Sequence, residues 1–281
     1  MLTISNHSRD SAGLTYVYPV LSRRAGGLSV GINLNTNNAC NWRCVYCQVP
    51  GLIRGNAPAI NLDQLERELH AFLDEVLHGD FFAVNRIPAE NQMIRDIAIS
   101  GNGEPTTARE FPEVIDLIGR VITELGMAGQ IKIVLITNGS FVNRSIVQKG
   151  LVRLAELNGE IWFKLDSATR AGIKKINGVS ISVDSVRRNL RTAVRLCPTW
   201  IQTCIFSLDG LPTPNAEREA YIQFIEGLLY ECLPVRGVML YGLARPSLQP
   251  EAARLSVVAG EWMDQFAEQI RQTGIVVKVN Q

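Results

Sequence analysis

Three cysteines, Cys40, Cys44 and Cys47, stand in NNACNWRCVYC with gaps of three and two residues, directly after the apolar run LSVGINLNT. That run reads as a strand, so the cysteines begin where a strand stops. Six cysteines in 281 residues are too few for a disulfide scaffold, and three of them packed this tightly point to metal or redox chemistry. The number three matters. A structural zinc site closes with four ligands, usually two short Cys or His pairs, and none of His7, His70 and His78 stands beside this stretch. Four thiolates would saturate a four-iron cluster. Three leave one iron open to an exchangeable ligand, provided that Cys197, Cys204 and Cys232 do not complete the set. A zinc loop or three structural thiols is the competing reading.

Alternation along later strands adds candidates. In IWFKLDS, Ile161, Phe163 and Leu165 share one face and Trp162, Lys164 and Asp166 the other. If the apolar set faces a helix layer, Lys164 and Asp166 face the interior of a barrel, to hold cofactor or substrate or to fill space as a buried ion pair. The same reasoning in WIQTCIF turns Gln202 and Cys204 inward. Cys204 is then a hydrogen-atom donor, a substrate anchor, a ligand to a second cluster or a small buried hydrophobe. Met239 and Tyr241 share a face of GVMLYGLA and would contact an adenine or simply pack. Cys197 and Cys232 fall at helical spacing with apolar residues and read as core. Arg23, Arg24, Arg43, Arg54 and Arg245 fall near the expected mouth and suit a phosphate or carboxylate, or form a solvated rim. VRRNLRTAVR places Arg187, Arg188, Arg191 and Arg195 on one helix, as an RNA-facing row or a charged outer face.

These residues need a scaffold. A chain 46% hydrophobic and 20% charged has an ample core for one large α/β domain. The net charge of +1 gives no global attraction to nucleic acid or anionic lipid. No apolar run reaches the ~20 residues of a membrane span, and the N-terminus lacks a signal-peptide core, so a cytoplasmic protein is expected. After the first strand, NLDQLERELHAFLDEVLHG reads as a helix, with Asn61 and Gln64 as its capping box and Gly79 as its stop. The pattern repeats through IRDIAISG, IKIVLITNG, EIWFKLDS, WIQTCIFSL and GVMLYGLA. Helices follow these near Phe111 to Leu125, Asn143 to Ala155, Val183 to Leu196, Ala216 to Cys232 and Pro250 to Thr273. Such alternation predicts a partial (β/α)6 barrel with parallel strands, its site at their C-terminal ends. Residues 29–273 form that core, 1–28 an N-terminal extension and 274–281 a tail, all in a single domain. The irregular stretch from Gly79 to Met93 is long enough to suggest a lid or substrate loop.

CNWRCVYC resembles the Cys-x3-Cys-x2-Cys signature, with an aromatic before the last cysteine, of the radical S-adenosylmethionine enzymes. SGNGEPT, Ser100 to Thr106, is similar to that family's glycine-glutamate-proline motif after the second strand. SRRAGGLSVGINL, ITNGS, FKLDS and ARP, in that order, are similar to the iron-sulfur oxidoreductase subgroup that includes the wyosine-forming tRNA enzymes. The resemblance spans the chain. It implies a 4Fe-4S cluster on Cys40, Cys44 and Cys47, with the open iron chelated by the methionine end of S-adenosylmethionine. Reduction by a partner such as flavodoxin or ferredoxin then releases a 5′-deoxyadenosyl radical that takes hydrogen from a substrate. Glu104 would pair with the cofactor's amino group, Gly101 and Gly103 would let the backbone approach, and Tyr46 and Asn138 would contact adenine and polar groups.

Two departures shape the expectation. The wyosine-forming enzymes carry further cysteines ahead of the triad, whereas residues 1–39 contain none, and the last helix is followed only by GIVVKVNQ, without a cysteine-rich C-terminal domain. The sequence therefore predicts a radical enzyme with one cluster and an unidentified substrate, with RNA suggested by the resemblance. The alternatives are an activase of a glycyl-radical enzyme, acting on a protein partner, and a non-catalytic metal-binding module.

Overall fold

Eight strands lie side by side in the order in which they occur along the chain. They are β1 (Val17–Ser22), β2 (Gly27–Ile32), β3 (Ile94–Ile99), β4 (Lys132–Thr137), β5 (Glu160–Lys164), β6 (Thr199–Ile205), β7 (Val235–Gly242) and β8 (Val277–Asn280). The computed structural model describes residues 13–22 and 26–280, so His7, Arg23 and Arg24 lie outside the described residues. Strands β2 to β8 run parallel, and β1 alone is antiparallel, against β2. The sheet ends at β1 and β8 without joining them, which makes a partial barrel.

The six strands expected from the apolar runs are β2 to β7. The two outer ones differ from expectation: the extension supplies β1 and the tail supplies β8. β1 carries Pro19, which has no N–H to give and is tolerated because the strand is paired on one side only. A carboxylate anchors its start, since Glu68 accepts from the N–H of Thr15 at 3.1 Å and of Tyr16 at 2.8 Å.

Helices cover the outer face: α1 (Leu62–His78), α2 (Phe111–Glu124), α3 (Ser145–Glu156), α4 (Arg170–Asn177), α5 (Val183–Leu196), α6 (Asn215–Tyr230) and α7 (Gly260–Arg271). Helix α1 starts as the sequence predicts, with the Asn61 side chain accepting from the Gln64 N–H. His70 and His78 ride exposed on it. Its buried stripe of Leu65, Leu69, Phe72, Leu73 and Val76 joins Ile161, Phe163 and Leu165 of β5 and its continuation in the core. The opposite face of the strands is thereby left to line the lumen.

Three expectations are corrected. Helix α7 begins at Gly260, not Pro250, because Leu255–Ser256 is drawn into a short strand against Ser207–Leu208. The segment Gly79 to Met93, expected as a lid, leads into the N-terminal end of β3, where Met93 accepts from the Leu28 N–H at the start of β2. It therefore lies at the opposite end of the strands from the cysteines, and contributes no residue to the cavity described below. Helix α4 is an addition that the sequence did not announce. Among the described residues no helix is long and apolar enough to cross a membrane.

Candidate active site

A cavity of about 320 Å³ occupies the lumen, and Cys40, Cys44 and Cys47 all line it. The loop that carries them leaves β2 and is fixed from two sides. On one side, α4 turns its C-terminus to the loop: Arg43 N–H donates to the Asn177 carbonyl at 3.0 Å and Val45 N–H to the Ile176 carbonyl at 2.8 Å. The last carbonyls of a helix lack partners within it, and here the cysteine loop supplies them. On the other side, Ser247 Oγ donates to the Val45 carbonyl at 2.7 Å and Gln249 Nε2 to the Val49 carbonyl at 3.0 Å.

Two N–H groups are aimed at the sulfurs: Trp42 N–H at Cys40 Sγ, 3.4 Å, and Asn177 Nδ2 at Cys44 Sγ, 3.3 Å. Burial pushes both thiols up to about 12, against the pull of those donors. Only a cation at sulfur would hold them as thiolates at neutral pH, and the N–H donors suit that charged form. Among the described residues no three of His, Cys, Asp and Glu converge as ligands of a single ion would. Three separate thiols around one space fit a cluster in which each binds its own iron.

Glu104 follows β3 and is 2% exposed. Its Oε1 accepts from the Thr106 N–H at 3.2 Å and from the hydroxyls of Thr106 and Thr137, each at 2.5 Å; its Oε2 accepts from the Asn138 N–H at 2.7 Å. Burial pushes the carboxyl up, and these four donors hold it down. The residue thus ties the GEP loop to the TNG loop after β4, and Asn138 passes the tie on by donating to Asn41 Oδ1 at 2.8 Å, inside the cysteine loop.

The two glycines of the motif serve the protein's own packing. A Cβ at Gly101 (φ +155°) would meet Asn33 Oδ1 at 2.3 Å, and one at Gly103 would meet the Ala39 carbonyl at 2.0 Å. Gly103→Ala is expected to push the segment before Cys40 off the GEP loop, at a cost of about 3 kcal/mol. Urea unfolding of the variant, with iron content after reconstitution as the second measurement, checks this. An unchanged midpoint and full iron loading would refute it.

The inward faces of β5, β6 and β7 build the opposite wall. Lys164, Cys204 and Tyr241 line the cavity as alternation predicts, together with Trp162 and Gln202. Lys164 Nζ donates to Tyr241 Oη at 2.7 Å and lies 5.1 Å from the Tyr46 ring centre. Burial alone would lower its pKa, but Tyr241, Asp166, Cys44 and Cys204 together carry it above the usual lysine value. No Lys164–Asp166 ion pair forms, which corrects the space-filling reading. Asp166 instead accepts from Tyr46 Oη at 2.5 Å, Asn177 Nδ2 at 2.7 Å and the Cys204 N–H at 3.0 Å. Tyr46 is therefore held by its hydroxyl, with its ring 5.7 Å from that of Phe206. Cys204 is buried beside Tyr46 and Phe206, and burial pushes its thiol above the ordinary range. Met239 is buried next to Gln202 in register without lining the cavity.

Other expectations fare differently. Cys197 is buried, but Cys232 is exposed at φ +51°, past the end of α6, so it is not a core residue. Arg43 pairs with Glu251 at 2.5 Å, and Arg54 donates to the carbonyls of Asn41 and Gly178; among the described residues of this set, only Arg245 lines the cavity. In the arginine row, Arg187 and Arg191 share the one carboxylate of Glu231, at 3.4 and 2.6 Å, which offsets a single charge of the row.

The profile of the Radical SAM superfamily matches residues 34–225, from the end of β2 into α6. The chain belongs to the radical S-adenosylmethionine superfamily. It is accordingly a radical S-adenosylmethionine enzyme, and its family uses a 4Fe-4S cluster and S-adenosylmethionine. Solved structures share the fold. A structure of TYW1 with a lysine-pyruvate adduct superposes with a TM-score of 0.56 at 13% identity, covering 88% of this chain and 74% of that one. A radical SAM methyltransferase from Sphaerobacter thermophilus gives a TM-score of 0.56 at 16% identity, over 94% and 68% of the two chains. Among curated sequences, GTPase Obg of Brachyspira hyodysenteriae (strain ATCC 49526 / WA1) is 24% identical over 134 residues, 48% of this chain. The chain spans only 17% of that relative's length.

Proposed function

We propose that Cys40, Cys44 and Cys47 hold one 4Fe-4S cluster, and that the radical enzyme acts on a small polar molecule held in the lumen. The observation that carries this reading is the meeting of three thiols, two of them with N–H donors at sulfur, with Glu104 at the C-terminal ends of β2 and β3. When bound, that cluster would supply one electron for breaking the S–C5′ bond of S-adenosylmethionine, with methionine as the leaving group, and hydrogen transfer from the substrate to the adenosyl carbon would give 5′-deoxyadenosine and a substrate radical. A low-potential donor such as flavodoxin or ferredoxin would supply that electron.

The chain's own residues do the rest. Glu104 Oε2 carries one protein donor, which leaves it an acceptor site for the cofactor's ammonium. Asn138 and Gly101 bound the same side of the cavity. Tyr46, Cys204 and Tyr241 cover the other side and exclude water from the reacting atoms. Lys164 and Asp166 differ in role: Asp166 does not line the cavity and orients Tyr46, whereas Lys164 reaches the space itself. This takes residues 1–281 as one domain whose extension and tail each lend a strand. Action on RNA rests on the resemblance, and of the arginine row offered for it Arg187 and Arg191 are engaged with Glu231.

The test is anaerobic. Protein reconstituted with iron and sulfide, reduced with dithionite and given S-adenosylmethionine should yield 5′-deoxyadenosine, and Cys44→Ala should yield at least 100-fold less. A fully iron-loaded wild type that forms none would overturn the proposal and favour an inert metal site.

A further inference from the structure

Gln202 lines the cavity from β6 and is 1% exposed, yet its carboxamide hydrogen-bonds to no described residue, and Nε2 is buried without an acceptor. Its neighbours in register do not answer the need. Lys164 on β5 has only N–H to give and donates to Tyr241 Oη, and Met239 on β7 offers no more than a thioether sulfur. Buried polar groups are rarely left so, because each unmade hydrogen bond forfeits the hydration that the group had in water.

Trp162 stands diagonal to Gln202, two residues before its register partner on β5, and lines the same cavity. Its Nε1 donates to Glu160 Oε1 at 2.8 Å, and Glu160 Oε2 accepts from Lys132 Nζ at 2.8 Å, so the indole is fixed from the N-terminal end of the strands. Ile136, opposite it on β4, extends the apolar wall. The cavity runs on to Ser29 and Asp96, in the first halves of β2 and β3. The lumen is therefore deeper than the layer of the cysteines and Glu104, and there it offers an aromatic surface beside one open amide. A carboxamide gives an N–H and takes one on neighbouring atoms, so its full complement is a carbonyl oxygen next to an N–H. An aromatic surface adds stacking with any flat ring. An anion finds a better partner in the Lys164 ammonium, which leaves a neutral edge for Gln202 to select.

We propose that Gln202 and Trp162 form a substrate subsite for a flat, neutral ring whose edge carries a carbonyl oxygen next to an N–H, as a lactam or a ring carboxamide does. This rests on the reading of the cavity as the reaction chamber and names the class of molecule held there. The adenine of S-adenosylmethionine is also flat and polar at its edge, and the binding measurements separate it from a second molecule.

The reconstituted, unreduced enzyme, wild type and with Gln202→Leu, Gln202→Met or Trp162→Leu, is dialysed to equilibrium against uracil, benzamide and benzoate, with and without saturating S-adenosylmethionine. Uracil and benzamide carry the paired edge, whereas benzoate keeps the shape of benzamide but has two acceptors and a charge. The wild type should bind uracil or benzamide while S-adenosylmethionine is bound, and benzoate about tenfold more weakly. Gln202→Leu and Gln202→Met should each lose about tenfold in affinity for the amide probes, with S-adenosylmethionine affinity unchanged. Trp162→Leu removes only the stacking surface and should weaken all three probes alike. A wild type that binds neither amide probe, Gln202 variants that bind them as the wild type does, or benzoate bound as tightly as benzamide would overturn the proposal. Displacement of the probes by S-adenosylmethionine, or loss of its affinity in the Gln202 variants, would give the subsite to the cofactor's adenine and overturn it too. A wild type that binds no S-adenosylmethionine sinks the functional reading instead, and dialysis of the probes without it still decides the subsite.

Discussion

Glu104→Ala is expected to lower the stability of the enzyme by about 3–5 kcal/mol and to cost it S-adenosylmethionine binding. The size follows from the donors left behind. Thr106 and Asn138 would each bury a backbone N–H with nothing to accept it, and the hydroxyls of Thr106 and Thr137 would lose a charged partner. Each stranded N–H costs about 1–3 kcal/mol, while the hydroxyls recover part of their loss by rotating. Glu104→Gln separates support from binding. Its oxygen can keep the three donors at the Oε1 position, but its NH2 must then face the Asn138 N–H, donor against donor, and its charge is gone. Stability should fall by about 1–3 kcal/mol and S-adenosylmethionine affinity by about 10- to 100-fold. Urea unfolding and equilibrium dialysis read the two effects. A Gln variant that binds the cofactor as the wild type does would show that Glu104 only ties the two loops together.

How much of this was legible in the sequence depended on the range of the interactions. The strands β2 to β7 show because each pairs on both sides and buries a long apolar face. β1 and β8 do not, since edge strands of six and four residues with a proline or alternating lysine resemble loop. Inward-facing Lys164, Gln202 and Cys204 followed from alternation alone, which reports facing but not partners. That Lys164 would meet Tyr241 and leave Asp166 to others could not be read. Both residues share one strand and its continuation, and their partners come from other strands, from the cysteine loop and from α4. The glycines of the GEP motif were legible as close approaches, but what approaches is Asn33 and Ala39, and the contacts that decide this join segments dozens of residues apart. Asn177 carried no local signal, for its bond to Cys44 spans 133 residues of sequence. Such a residue is found only once the chain is folded.

That residue carries the second large effect. Asn177 is 1% exposed, and its one amide nitrogen serves both Cys44 Sγ and Asp166 Oδ2, while its carbonyl holds the Arg43 N–H. Substitution by alanine keeps the backbone bond and removes both side-chain bonds. Hydrogen bonds to a ligating sulfur favour the more negative, reduced state and so raise the potential of an iron-sulfur centre. If the bond is about 1 kcal/mol stronger in that state, its loss lowers the midpoint by about 40 mV, at 59 mV per tenfold for one electron. Asn177→Ala should therefore move the midpoint of the reconstituted centre downward in a spectroelectrochemical titration, and Asn177→Asp should move it further, by placing a second carboxylate against Asp166. Asp166→Ala acts differently: it strands the Tyr46 hydroxyl, the Asn177 amide and the Cys204 N–H together, for a loss of about 3–5 kcal/mol in urea unfolding. Its amide still faces Cys44, so its midpoint should stay closer to that of the wild type than the midpoint of Asn177→Ala. The order of the two shifts is the discriminating result. A larger shift in Asp166→Ala would mean that the carboxylate sets the potential through its charge, and that the amide is only its support.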